Sequence, residues 1–306
     1  MKTRFIVNPE SANGSTGRRW PHIELLLKRT YRFNYEVAFT EKPWHASQLA
    51  REAIEGGCDR IISVGGDGTL NEVVNGFLEN DNLINPDAAL GVLEIGTGAD
   101  FSKSFNFPKT VEEMILRLNR AKPKMIDVGK AEYRSLKDLE ITRYFVNILD
   151  FGMGGAVVER VNRTTKLFGG KISFLIGILT TLFKYENKTI HYRLDGGEWE
   201  TGVFNNFITA NGRYFGGGLF PAPSAELDDG WFDVVFFGDV GRLEAILNLS
   251  KLRKGTHFEN PKVTLRRAKE IEAVSKEQVF IDMDGEFVGK LPLKVLIFPK
   301  KLPILV

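Results

Sequence analysis

The stretch Ile61-Ile62-Ser63-Val64-Gly65-Gly66-Asp67-Gly68-Thr69-Leu70-Asn71-Glu72-Val73-Val74-Asn75-Gly76 constrains the chain most. An apolar run breaks into glycines around one aspartate and then resumes at helical spacing. That order predicts strand, tight loop and helix. Gly65, Gly66 and Gly68 are able to take left-handed backbone angles and let a ligand approach the main chain. The first turn of the helix points unbonded N–H groups into the loop, which makes it an anion site. With no lysine it is not a Walker-type phosphate loop, and it lacks the Gly-x-Gly-x-x-Gly dinucleotide fingerprint. A carboxylate repels phosphate unless Mg²⁺ lies between them or the acid ties a network together, so Asp67 points towards a nucleotide with its Mg²⁺. The competing reading is a connector turn in which Asp67 caps the next helix.

At 306 residues the chain exceeds the usual single-domain size, so two domains are expected. Its 43% hydrophobic and 26% charged residues describe a soluble globular protein. A net charge of +2 is too mild for a nucleic-acid binder. The one cysteine, Cys58, excludes an internal disulfide framework, fits a reducing compartment and reads as a small buried hydrophobe. Met1 to Pro9 holds no signal-peptide core, and the most apolar internal run, Ile172 to Phe183, is too short to span a bilayer. A cytoplasmic protein is expected.

In chain order, Thr3–Val7 reads as a buried strand ending in the polar loop Asn8 to Gly17, and loops at the carboxyl ends of parallel strands are where α/β sheets bind ligands. Trp20–Thr30 is helical, Asn34–Thr40 strand-like, and Pro43–Glu55 an amphipathic helix. Leu90–Ile95 is a further strand, ending in Gly96-Thr97-Gly98-Ala99-Asp100-Phe101. Successive parallel strands put their carboxyl ends on one sheet edge, so Asp67 and Asp100 are expected to share a crevice. Thr110–Arg120 is helical, and Pro123 punctuates the chain.

Beyond Pro123 short alternating segments predict an antiparallel sandwich: Lys124–Glu132, Arg143–Ile148, Thr189–Leu194, Asn206–Asn211, Phe232–Gly238, Lys262–Arg267, Val279–Asp282 and Leu293–Phe298. Two helical insertions, Ala156–Tyr185 and Leu243–Lys254, interrupt it.

These motifs together resemble the diacylglycerol kinase catalytic family, in particular its bacterial soluble lipid kinases, related in fold to NAD kinases and phosphofructokinases. The resemblance runs through Val7-Asn8-Pro9, Thr40 with Pro43 and His45-Ala46, and Gly65 to Thr69 with Asn71-Glu72. It continues through Gly96 to Phe101, Phe151-Gly152-Met153-Gly154, Gly216 to Gly218, Leu227-Asp228-Asp229-Gly230 and Asp284-Gly285-Glu286. The order and spacing carry it. It implies an α/β nucleotide-binding domain over residues 1–123, joined by the tail at about 292–306. A larger antiparallel β-sandwich over 124–291 would bind the lipid, with the active site in the cleft between the two.

The resemblance also implies roles. ATP as phosphate donor would lie on Gly65, Gly66, Gly68, Thr69, Gly96 and Thr97, with Asn8 and Thr40 nearby. Asp67 and Asp100 would organise the catalytic Mg²⁺ region, and Glu286 would be the general base that takes the proton of the lipid hydroxyl. Asp228 and Asp229 would hold a second Mg²⁺, against the reading of a plain Asp-Asp-Gly turn. The substrate would be diacylglycerol or a related lipid alcohol reached by peripheral membrane association, with a homodimer one option for assembly. Arg160, Arg163, Lys166 and Lys171 before the apolar run Ile172 to Lys184 suit a segment resting on an anionic membrane, and equally a helical hairpin packed on the sandwich. His45 reads as a capping residue rather than a proton shuttle.

The chain departs from the family pattern at Glu94, where a proline is usual, and at Ala99, where an asparagine is usual. The second change removes an amide beside Asp100. A non-catalytic nucleotide- or lipid-binding relative therefore stays open. So does a soluble-metabolite kinase such as an NAD kinase, which is disfavoured because Asn211 to Gly216 stands where those enzymes carry Thr-Gly-Ser-Thr-Ala-Tyr.

Overall fold

A computed structural model describes residues 1–95, 98–168, 180–181 and 183–306, the side chains of 162–168 excepted. The chain divides into two compact units, Met1–Val128 with Pro299–Val306, and Gly129–Phe298. The division falls inside a strand, a few residues past Pro123, because a proline is tolerated as the first residue of a strand.

The first unit alternates strands and helices: β1 (Lys2–Val7), α1 (Ser11–Thr30), β2 (Asn34–Phe39), α2 (His45–Glu55), β3 (Arg60–Gly65) and α3 (Asp67–Phe77). A small hairpin, β4 (Leu78–Glu79) with β5 (Asn82–Leu83), leads to β6 (Ala89–Glu94), α4 (Asp100–Ser104) and α5 (Val111–Arg120). The sheet is parallel in the order β2-β1-β3-β6, and Ile304 near the end of the chain pairs in parallel with Leu90 of β6. Every residue of β3 and β6 is buried, as a sheet covered on both faces requires. Phe5, Val7, Ile62 and Val64 pack with Trp20, Ile23 and Leu27 of α1 and Ile115 and Leu118 of α5. The alternate residues Ile6 and Ile61 point the other way, towards α2 and α3. These two helices approach so closely that a Cβ on Gly76 would lie 2.6 Å from that of Ala50.

The polar loop expected over Asn8–Gly17 is instead mostly the start of α1. Ala12, Asn13 and Gly14 carry left-handed angles and kink it.

The second unit is antiparallel. The strand β7 (Pro123–Arg134) enters it, followed by β8 (Glu140–Phe145), β9 (Ile148–Gly152), α6 (Met153–Phe168), β10 (Lys188–Leu194), β11 (Glu200–Phe204), β12 (Asn206–Ala210) and β13 (Phe232–Phe237). Then come α7 (Arg242–Lys254), β14 (Val263–Ala268), β15 (Glu270–Val274), β16 (Phe280–Met283) and the long β17 (Glu286–Leu305). One run of strands is β14-β13-β12-β9-β16-β17; β15 pairs β17 and β10, and β10 pairs β11. Phe145, Phe151, Phe207, Phe232 and Phe236 fill the sandwich core with Ile281, Leu293 and Val295. Of the expected insertion Ala156–Tyr185, α6 is helical. Lys171 and the run 172–179 lie outside the described residues, as do the side chains of Arg163 and Lys166. Among the described residues no helix is long and apolar enough to cross a membrane.

Candidate functional site

The carboxyl ends of β1, β2, β3 and β6 share one sheet edge, and most of the residues singled out for the nucleotide stand there. Asn8 N donates to Val64 O at 3.0 Å and Asn8 Nδ2 to Thr69 Oγ1 at 3.0 Å, tying the end of β1 to the glycine loop. Thr40 N donates to Val7 O at 2.9 Å. Gly96 and Thr97 lie outside the described residues.

The glycines act differently from the expectation of left-handed angles. None of Gly65, Gly66 and Gly68 has a positive φ. Gly65 is required for room, since a Cβ there would lie 2.5 Å from Thr69 Oγ1. Gly66 is extended, at φ −114° and ψ −172°, and among the described residues nothing stands within 4 Å of where its Cβ would be. The loop thus folds tightly on one side and leaves open space before the N-terminus of α3 on the other. That is the geometry an anion needs.

Asp67 opens α3 and reaches across to the second loop, as the shared edge led one to expect. Its Oδ1 accepts the backbone N–H groups of Asp100 and Phe101, each at 3.2 Å. Lys103, which the sequence reading overlooked, lies 2.6 Å from Asp100 Oδ1 and donates to Gly98 O at 2.7 Å. The cation absent from the glycine loop is supplied one strand away. Ala99 sits at φ 49°, a left-handed angle.

Glu94, at the end of β6, is buried beside Asp67. Its Oε2 accepts Ser102 N–H at 3.3 Å, while Oε1 has no donor to accept from. Burial and the neighbouring Asp67 push its carboxyl well above the usual range. Burial also raises Asp67, and Asp100 adds like-charge repulsion.

A further buried acid of this unit, Asp127, was not singled out from the sequence. Asp127 is fully buried and its Oδ1 accepts Lys300 N–H at 2.6 Å, which fastens the returning end of the chain.

In the second unit, Asp284 and Gly285 have φ of 50° and 84°, and Met283 pairs with Glu286 across them. This is the two-residue hairpin turn that Asp-Gly favours, and it presents Glu286 exposed at the start of β17. Asp284 fixes the turn: its carboxylate accepts N–H groups from Val146 at 3.3 Å, Asn147 at 3.1 Å and Ile148 at 3.0 Å. At the other acidic motif, Asp229 accepts Trp231 N–H at 3.0 Å and pairs with Arg267. His45 Nδ1 accepts Glu41 N–H at 3.1 Å.

Mg²⁺ in phosphoryl-transfer sites is held by one or two carboxylates together with substrate phosphates. Asp67 and Asp100 are carboxylates of that kind, and an ion there would relieve the repulsion Asp100 exerts on Asp67 but would compete with Lys103 for Asp100. At Asp228–Asp229 an ion would compete with the Arg267 guanidinium. Among the described residues no three His, Cys, Asp or Glu side chains are placed to hold a metal by themselves.

The chain thus joins a parallel α/β unit bearing a glycine loop to an antiparallel sandwich unit. Residues 2–131 match the diacylglycerol kinase catalytic domain, and residues 147–306 match the YegS C-terminal NAD kinase beta sandwich-like domain. Over residues 2–131 the chain belongs to the diacylglycerol kinase catalytic family, and over 147–306 to the YegS C-terminal domain family. It is 27% identical over 297 residues to a diacylglycerol kinase of Staphylococcus carnosus, covering 96% of this chain and 92% of that protein. A Staphylococcus saprophyticus diacylglycerol kinase is 28% identical over 297 residues, covering 95% and 90%. The crystal structure of a diacylglycerol kinase from Bacillus anthracis superposes with a TM-score of 0.69 at 19% identity, over 99% of this chain and 96% of that one. A further solved chain from that organism gives 0.76 at 24% identity, over 99% and 94%.

Proposed function

We propose that the protein transfers the γ-phosphate of ATP to the hydroxyl of diacylglycerol or a related lipid alcohol, with Mg²⁺. The observation that carries this reading is the open space at Gly66 before the N-terminus of α3, beside Asp67 and Asp100 in a chain of this family. The N–H groups of α3 and the hydroxyl of Thr69 would hold phosphate oxygens, with Asn8 and Thr40 at the neighbouring strand ends. Asp67 and Asp100 would hold the Mg²⁺, which neutralises charge on the transferring phosphoryl group. Glu286 accepts the proton of the attacking hydroxyl, and Asp284 keeps its turn in place. Asp228 and Asp229 would hold a second Mg²⁺, which would have to displace Arg267 from Asp229.

A lipid acceptor calls for a surface that rests on a bilayer. Leu243 and Leu247 of α7 are 69% and 73% exposed, one turn apart, and Arg253 and Lys254 on the same helix are exposed too. An apolar and basic outer face suits peripheral attachment of a cytoplasmic protein to anionic lipid.

The test is transfer of labelled phosphate from ATP to diacylglycerol in mixed micelles, with NAD as the soluble acceptor. Labelled phosphatidic acid is expected, and labelled NADP alone would move the assignment to a metabolite kinase. No labelled product, with ATP still bound, would favour the non-catalytic reading that Glu94 and Ala99 keep open. In the same assay Glu286→Gln should lower kcat about 10²–10⁴-fold with ATP affinity unchanged. Retention of more than about half of kcat, with chemistry rate-limiting, would place the base elsewhere.

A further inference from the structure

The motif Phe151-Gly152-Met153-Gly154 has no part in the chemistry proposed above, yet it ends β9, opens α6 and closes the helix over a buried pair of acids. Asp150 on β9 faces Asp282 on β16, and the two residues are 1% and 5% exposed. A Cβ at Gly154 would collide with Asp150 Oδ1, and one at Gly155 with the carbonyl of Phe280. These glycines let the start of α6 lie directly on both strands. Among the described residues neither oxygen of Asp150, nor Oδ1 of Asp282, makes a well-formed hydrogen bond. The described groups that bear on the pair are acidic or neutral: Asp284 and Glu286 of the turn, Tyr185 before β10, the Asn206 side chain of β12, and the N–H groups of Gly155 and Gly285.

Two carboxyl groups side by side and out of water repel strongly when both ionise, and join when one keeps a proton. Here that choice acts on a short ladder. β16 meets β9 through three residue pairs, Ile281 with Phe151, Asp282 with Asp150 and Met283 with Leu149, and the acids are the middle one. On its other side, β16 shifts its register against β17 between Ile281 and Asp282. The chain then runs from Asp282 through Met283 into the Asp284-Gly285 turn, and Met283 pairs with Glu286 across it. A displacement of β16 at Asp282 therefore reaches Glu286 within the same hairpin.

We infer that Asp150 and Asp282 are positioning residues for Glu286, fastening β16 to β9 while they share a proton and loosening the turn once both are ionised. The inference rests on the reading of Glu286 as the base and adds to it a pH-sensitive support beneath the turn. Both acids are buried under the start of α6, so they act through the backbone and not on the substrate. Burial raises the carboxyl of Asp150 to about 7. A group raised in this way gives its support below that pH and withdraws it as the pH rises through it.

The experiment follows kcat with diacylglycerol in mixed micelles from about pH 6 to about pH 9 in the wild type, Asp150→Asn and Asp282→Asn. Alongside it, amide hydrogen exchange of residues 283–287 is measured in the wild type over the same range and corrected for the intrinsic rate. Each variant leaves at most one charge, with an amide beside it, so the wild-type kcat should fall about 3-fold or more relative to either variant. Protection of the wild-type turn should fall with it. The exchange measurement uses the wild type alone and holds if a variant fails to fold. Superposed kcat profiles with constant turn protection would overturn the inference. A turn that loosens while kcat stays level would uphold the support and overturn Glu286 as the base. A kcat that falls over a turn that stays protected would overturn the support and leave Glu286 standing.

Discussion

Each unit of the chain sets two carboxyl groups beside one another, Asp67 with Glu94 and Asp150 with Asp282, and the two pairs are built in opposite ways. Asp67 and Glu94 lie among backbone donors: Asp100 and Phe101 give N–H groups to Asp67, and Ser102 gives one to Glu94. Asp150 of β9 and Asp282 of β16 face each other across an antiparallel pair, and neither oxygen of Asp150 makes a well-formed hydrogen bond. The Asn206 amide and the Gly155 N–H lean towards Asp150 and offset its burial only in part, leaving its pKa at about 7. Burial and the nearby Asp150, Glu286 and Asp284 push Asp282 well above the carboxylate range. The backbone N–H groups around Asp67 offset part of its burial, whereas Asp150 lacks well-formed donors and its pKa rises to about 7.

The largest effect should come from removing a clamp. Asp284→Ala strands the N–H groups of Val146, Asn147 and Ile148, and losing a charged acceptor for buried donors costs about 3–5 kcal/mol. Urea unfolding of the variant reads this directly. A loss under about 1 kcal/mol would mean that these donors find water instead and that the turn presenting Glu286 is held by something else.

A smaller effect, of the other sign, is expected at the unclamped pair. Because the folded pKa of Asp150 lies at about 7, against 3.8 for the ordinary group, its contribution to stability is complete below about pH 4. It is lost as pH rises through 7. The melting temperature should therefore fall between pH 5 and pH 8. Asp150→Asn cannot ionise, so it should flatten that fall and gain on the order of 2–4 kcal/mol over the wild type at pH 8. Parallel curves for the two proteins would show that the pair does not carry the proton assigned to it.

The same contrast separates what the sequence disclosed from what it hid. The break from Val64 into Gly65 and back to helical spacing at Leu70 is a local signal, and it located β3, the loop and α3. So did the Asp-Gly turn before Glu286. Clamps are different. Asp284 holds residues about 137 positions away and Asp127 meets Lys300 173 positions on, pairings that no local pattern encodes. The reason for Gly65 was also hidden, because the close approach of Thr69 exists only after folding. The segments β11 and β15, Glu-Thr-Gly-Val-Phe and Glu-Ile-Glu-Ala-Val, were not read as strands: a glycine interrupts the first, and the second is only five residues long. Pro292, Pro299 and Pro303 made the single long strand β17 read as the short segment Leu293–Phe298.

The smallest effect sharpens the comparison at the first pair. If Glu94 is protonated and donates to Asp67, Glu94→Gln replaces one donor by another: its amide N–H reaches Asp67 and its carbonyl oxygen accepts Ser102 N–H. Stability at pH 7 should then change by less than about 1 kcal/mol. Glu94→Ala, by contrast, leaves Ser102 N–H without its acceptor and takes a donor from Asp67, which should cost about 2–3 kcal/mol. Thermal unfolding of the two variants decides the matter. Were Glu94→Gln as damaging as Glu94→Ala, the site would require an ionised Glu94, and the first pair would be two charges held apart by N–H groups rather than two oxygens sharing a proton.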